Sequence, residues 1–314
     1  MTEAQKFTRK TVLDASSAVY GHCIRTPLYY DYYLSERTKC EVYLKMECYQ
    51  PVHSFKIRGT ANKMSRVTEP EVVTASSGNH GIAVAYMARR LGKGATVVLP
   101  ENVNASKLGM IRNLGAKTIL CGTSSDERMR RASELSSERG ARMIHPFDDI
   151  DIIAGQGTIG LELQTTRRLD RVLVPVGGGG LISGIALSYD GITGTEIVGV
   201  QSENSRSMFE SLQAGRRVSS NSNTLADGIA VSTPGMLNVD ILRERVRRIL
   251  LVSDSEMFSA VRDVWKNSRI LMEPASASTV AALFRYRQEL CAEGDSVALI
   301  VSGGNVSDSL VKTL

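Results

Sequence analysis

Eight short β-branched and aliphatic runs, at residues 72–75, 95–99, 117–121, 142–145, 171–176, 196–200, 247–252 and 296–301, are separated by longer stretches of helical periodicity. Strands spaced by helices cannot pair as hairpins and instead build parallel βαβ units, so the pattern confines the chain to an α/β fold with a mainly parallel sheet. In such sheets ligands bind beyond the carboxyl ends of the strands. The turns after Ala75, Val176 and Val301 are therefore expected to face one crevice. The residues 81–91 read as a helix with Arg89 and Arg90 in its last turn and Gly92 placed to stop it. The serine-rich stretch 201–225 reads as a loop or short-helix insertion, because another strand and helix follow it. The tyrosines at 29, 30, 32 and 33 suggest buried packing or a subunit interface.

Composition narrows the function. The net charge of +5 is spread over several helical stretches, including Arg128, Arg130 and Arg131, which read as solvated faces. With only 5% aromatic residues and no concentrated basic stripe, a nucleic-acid surface is not expected. Small anionic ligands suit the charge better. Five cysteines without C-x-x-C spacing argue against a disulfide framework and a thiolate zinc site, and four scattered histidines give no metal motif. The N-terminus is polar and no apolar run approaches membrane-spanning length, so a cytoplasmic protein with no membrane partner is expected.

Three turns carry chemistry. Gly177, Gly178, Gly179 and Gly180 follow a strand and lead through Leu181 into a helix, so inward amide groups and the helix's positive end can meet at one point. A dianionic phosphate is the natural occupant, although such a run can also serve simply as a tight turn. It is neither a Walker A loop nor a dinucleotide fingerprint, since no Gly-Lys-Ser/Thr follows and Ile182 occupies the third glycine's place. Lys56 lies in Ser54-Phe55-Lys56-Ile57-Arg58-Gly59, where Ser54 is expected to cap a helix continuing to Arg66. Alone it would read as an exposed cation; beside a phosphate cradle it reads as an amine able to condense with an aldehyde. Ser76, Ser77, Gly78, Asn79 and His80 offer hydroxyls, an amide and helix-start N–H groups suited to a carboxylate, or merely a capped helix start. Ser302, at the end of the last strand, is a neutral hydrogen-bonding partner for a ring nitrogen. Together these features point to pyridoxal 5′-phosphate.

In these motifs, and in Leu225-Ala226-Asp227-Gly228-Ile229-Ala230-Val231, Glu273-Pro274-Ala275 and Ser302-Gly303-Gly304-Asn305, the chain resembles the fold-type-II pyridoxal-phosphate enzymes, specifically the serine/threonine dehydratase and serine racemase branch. The resemblance implies two doubly wound α/β domains of the tryptophan synthase β type. The larger would comprise residues 1–66 and 148–314, and the smaller substrate-side one 67–147. It implies a Schiff base on Lys56, Phe55 packed beside the ring, Asn79 on its 3′ oxygen, the phosphate on Gly177 to Gly180 and Leu181, and Gly228 and Glu273 near the ring. Ser302 would meet the pyridine nitrogen, and Ser76, Ser77, Gly78, Asn79 and His80 would surround a small amino acid substrate.

The activity implied is that of an ammonia-lyase, dehydrating L-threonine or L-serine to an α-keto acid and ammonia. Serine racemase or 3-hydroxyaspartate dehydratase is the alternative, favoured by Ser77, which could protonate the opposite face; Phe147 favours the threonine-type pocket. A β-replacement synthase fits the motif at 225–231 less well. The racemase branch's divalent-cation carboxylates are replaced here by Gln201, Ser205 and Ser207, so no metal is expected. His53 is expected to pack. The chain is expected to lack a C-terminal regulatory domain and to form a homodimer or homotetramer.

Overall fold

The computed structural model describes residues 3–76 and 78–314. Among them are ten strands: β1 (Leu28–Tyr30), β2 (Glu41–Met46), β3 (Glu71–Ala75), β4 (Gly94–Leu99), β5 (Lys117–Leu120), β6 (Arg142–Met143), β7 (Arg171–Pro175), β8 (Glu196–Ser202), β9 (Arg248–Val252) and β10 (Ser296–Val301). They form a six-stranded sheet in the order β1-β2-β10-β7-β8-β9 and a four-stranded sheet in the order β5-β4-β3-β6. Every pairing is parallel except β1 with β2. The α/β expectation holds. Among the described residues no helix is long and apolar enough to cross a membrane.

Strand periodicity explains how the large sheet carries helices on both faces. Val42, Leu44 and Met46 of β2, Leu173 of β7, Val198 and Val200 of β8, and Val297, Leu299 and Val301 of β10 share one core with helices Asp254–Ser268 and Pro274–Arg285. Their alternates, Tyr43, Val172, Val174, Ile197, Ala298 and Ile300, point the other way onto helix Gly180–Ser188. A strand buried on both sides reads as a continuous apolar run, which is why β7 and β10 are visible in the sequence. The small sheet repeats the device. Val72, Val97 and Leu99 pack on helix Asn79–Arg90, while Val73, Ala75 and Val98 pack on helix Ser125–Arg139.

Several local expectations are corrected. Strands β1 and β2 stand outside the eight runs, because β2 carries Glu41 and Lys45 among its apolar residues. Ser54 caps nothing: it is fully buried and bridges Gly303, while Phe55 occupies the cap of helix Lys56–Met64 without a side-chain bond. Tyr29, Tyr30 and Tyr32 are exposed rather than packed in the interior; Tyr33 is half-buried and donates to Asp263. The serine-rich stretch begins inside β8, whose Gln201 and Ser202 pair with β9, then contains helix Ser207–Ala214 and is otherwise irregular up to Leu225.

Candidate active site

The C-terminal ends of β2, β3, β7 and β10 and the segments that follow them converge on one cavity. It is lined by Phe55, Lys56, Ser76, Gly78, Asn79, His80, Gly177, Gly178, Gly179, Gly180, Leu181, Gly228, Glu273 and Ser302. Every site residue expected from the sequence is there except Ser77, which lies outside the described residues. The same cavity contains Phe147, expected to shape a threonine-type pocket, and Lys107, Arg128, Pro146 and Asp227, to which the sequence assigned no role. Arg128 in particular is buried rather than solvated: helix Ser125–Arg139 turns it inward. Its cue was weak, since one arginine in a run of three carries no mark of its direction.

Lys56 opens the helix Lys56–Met64, and its amine donates to the Pro146 carbonyl at 2.9 Å. Two sets of contacts fix this start. Phe55 N donates to Ser302 O at 3.0 Å and Gly304 N to His53 O at 2.9 Å, so the end of β10 clamps the approach to the lysine. Behind the helix, Arg58 is fully buried and donates to Glu47 at 2.7 and 2.8 Å and to Glu162 at 2.6 and 3.1 Å. Lys45 donates to Glu162 at 2.5 Å, completing a buried cluster of two cations and two carboxylates. Helix Ile150–Thr166 can approach this closely because its Gly155 faces Gly59 of helix Lys56–Met64. A Cβ on Gly155 would fall 2.6 Å from Arg58 O, and one on Gly59 2.6 Å from Ile152 O.

The cavity's electrostatics follow from enclosure. The Lys56 amine opens on the cavity but is surrounded by protein, and burial lowers its pKa to about 8, with the Glu273 carboxylate partly opposing. Glu273 is almost fully buried, and burial followed by the nearby Asp227 charge pushes it up to about 7. Its oxygens accept from Asn79 Nδ2 at 3.0 and 2.9 Å, while Asn79 Oδ1 accepts from Asn305 at 2.9 Å. His80 is driven down to about 3, first by burial and then by the Lys56 charge. The ring is therefore neutral, and Nε2, 3.2 Å from Ile144 O, carries the proton. Ser302 Oγ lies 3.0 Å from Ser276 Oγ, itself fixed by Gly303 at 2.8 Å. Across the mouth, Lys107 pairs with Asp227 and joins the small-sheet side to the 225–231 segment.

At the other end, the glycine run makes the turn from β7 into helix Gly180–Ser188. Gly179 has φ +101°, a conformation that only glycine adopts without strain. A Cβ on Gly178 would lie 2.5 Å from the Phe147 ring. Among the described residues, the amides of Gly177, Gly178 and Gly179 donate to no protein group. Together with the uncapped helix start, they form a cradle of unpaired donors whose chemistry matches a phosphate dianion. An enclosed amine of lowered pKa and a neutral serine complete what a pyridoxal phosphate requires.

The family model described as "Pyridoxal-phosphate dependent enzyme" matches residues 19–303. The chain belongs to the pyridoxal-phosphate-dependent enzymes. The L-threonine ammonia-lyase of Thermotoga maritima is 40% identical over 312 residues, covering 97% of this chain and 77% of that protein. Among solved structures, the processed form of threonine deaminase isoform 2 from Solanum lycopersicum superposes with a TM-score of 0.91 at 35% identity, covering 97% of this chain and 91% of that one. Maize serine racemase does so with a TM-score of 0.92 at 30% identity, covering 98% and 96%. This pyridoxal-phosphate enzyme is thus similar both to threonine-deaminating lyases and to a racemase of the same fold.

Proposed function

We propose that the protein is an ammonia-lyase acting on a small β-hydroxy amino acid, L-threonine or L-serine, and releasing an α-keto acid and ammonia. The observation that carries this reading is the Lys56 amine, enclosed in the cavity, with its pKa lowered to about 8 and the glycine cradle on the same cavity wall. Lys56 would hold the cofactor, Gly177, Gly178, Gly179, Gly180 and Leu181 its phosphate, Phe55 one face of its ring, and Ser302 its ring nitrogen. Asn79, Gly228 and Glu273 would flank the ring. When bound, pyridoxal phosphate supplies an electron-withdrawing system that acidifies the Cα–H of an attached amino acid.

The chain's residues supply the rest. At pH 7, an amine with a pKa of about 8 is neutral about one-tenth of the time, enough to accept a proton at Lys56 Nζ, whereas an ordinary lysine is almost never neutral. Ser76, Ser77, Gly78, Asn79 and His80 would receive the substrate carboxylate, with Lys107 and Arg128 adding positive charge to that wall. With its proton on Nε2 and given to Ile144 O, neutral His80 leaves Nδ1 as a hydrogen-bond acceptor. Glu273 is buried and held by two hydrogen bonds from Asn79, and Lys107 pairs with Asp227 beside it. The division into domains at about residues 66 and 148 belongs to the same proposal.

The test is a substrate panel. Purified holoprotein is incubated with L-threonine, L-serine, D-serine and the 3-hydroxyaspartate isomers, and keto acid, ammonia and chirality are followed. Keto acid from L-threonine or L-serine is expected. Absence of keto acid from both rejects the reading, and inversion of serine without elimination moves the protein to the racemase side of the branch.

A further inference from the structure

The cysteine count and spacing speak against a disulfide framework, yet the fold brings two thiols together across 251 residues. Cys40 Sγ lies 2.6 Å from Cys291 Sγ. Both belong to the large sheet's N-terminal edge: Cys40 immediately precedes β2, and Cys291 ends the helix before β10, which pairs with β2 in register from Glu41 and Ser296. Both backbones are anchored. Arg287 donates to Thr38 O at 2.9 Å, Cys291 N donates to Arg287 O at 2.9 Å, and Arg171 donates to Leu290 O at 3.1 Å. A disulfide requires sulfurs about 2.05 Å apart, so closure calls for a shift of roughly half an ångström in side chains already facing one another.

We propose that Cys40 and Cys291 are a reversible redox site, in which a hydroperoxide removes two electrons from the pair and joins the sulfurs as a disulfide. The Cys40 sulfur attacks the peroxide O–O bond, giving a sulfenic acid and, from hydrogen peroxide, one water. The Cys291 sulfur then attacks the Cys40 sulfur, and its proton leaves with the displaced hydroxyl as a second water. Reactivity favours this pair over the other buried thiols. The hydrogen bond between the two sulfurs lowers Cys40 against the effect of burial and raises Cys291, which keeps its proton, whereas burial pushes Cys23 and Cys48 up to about 12. Cys40 itself is buried, so a peroxide reaches it from the side of Cys291, which is half-buried and borders the exposed residues 292–294. The consequence is mechanical. The bridge would staple the starts of two adjacent strands, about 20 Å from the ends that carry the active site, since β2 and β10 each run six residues.

The holoprotein is treated with hydrogen peroxide, free thiols are alkylated, and the protein is digested without reductant. Mass spectrometry is expected to find the Cys40 and Cys291 peptides joined, two daltons lighter than their reduced sum, and separated by dithiothreitol. The oxidised protein should also melt at a higher temperature than the reduced one, with Cys40→Ser and Cys291→Ser each abolishing the shift. Recovery of both cysteines as alkylated thiols, or of Cys40 as a sulfinic acid without a link, in protein whose Cys121 has been oxidised would overturn the proposal.

Discussion

Replacing Arg58 with methionine tests the claim that a buried charge cluster fixes the start of the lysine-bearing helix. The guanidinium has no solvent exposure and makes four bonds to carboxylates, two to Glu47 and two to Glu162. Without it, Lys45 alone faces both acids, and Glu47 keeps only neutral donors, Thr26 at 2.5 Å and Gln50 at 3.2 Å. Removing one partner from a buried ion pair costs about 3–5 kcal/mol, because the other charge is stranded rather than because the pair itself is worth that much. Urea unfolding followed by circular dichroism should show a loss of that size.

The pH dependence is more discriminating. In the native protein burial opposes ionisation of Glu47, but Arg58 overrides it and holds the carboxyl below its usual 4.5. Its contribution is therefore present above that pH and is lost on acidification. In the variant burial prevails, the folded-state pKa rises, and stability falls as pH increases from 4.5 toward the new value. Glu273, pushed up to about 7, gives the same slope in both proteins and cancels in the difference. Adding Glu47→Gln should restore part of the loss. A stability change under about 1 kcal/mol, or a difference curve that does not decline above pH 4.5, would refute the reasoning.

Lys56→Ala should lower turnover by about a thousandfold or more while leaving the protein folded. In the cofactor-free protein, stability should climb as pH rises from about 8 to 10.5, because the unfolded lysine holds its proton longer than the buried one; the rise, about 3 kcal/mol in calorimetry, should vanish in the variant. Gly178→Ala drives a methyl group into the Phe147 ring, and a spectroscopic titration should show pyridoxal phosphate affinity reduced at least tenfold, about 1.4 kcal/mol. Asp227→Asn breaks the pairing with Lys107 at a half-exposed carboxylate, so stability should change by less than about 1 kcal/mol. The same change should lower the pKa of Glu273, read by carboxyl carbon NMR, because the Asp227 charge now raises it.

Local rules made much of this protein legible. The apolar runs of β7 and β10 announce strands buried on both faces, and four consecutive glycines before an apolar helix announce an anion cradle wherever the chain takes them. Strand topology alone directed the turns after Ala75, Val176 and Val301 to one crevice, because parallel sheets send the ends of their strands to a common edge. The places of Lys56 and Glu273 beside them were implied only by the family resemblance. Sequence could not find β2, whose Lys45 is tolerated in the interior only because Glu162 arrives from another helix. Nor could it show that Ser54 bridges Gly303 instead of capping a helix, that Arg128 turns inward, that Lys107 reaches Asp227, or that Cys40 meets Cys291. Periodicity and turn chemistry act between neighbours along the chain, so they are written in the sequence. Lys45 and Glu162, Lys107 and Asp227, and Cys40 and Cys291 are partners chosen by packing between segments more than a hundred residues apart, and only the folded chain brings those segments within bonding distance.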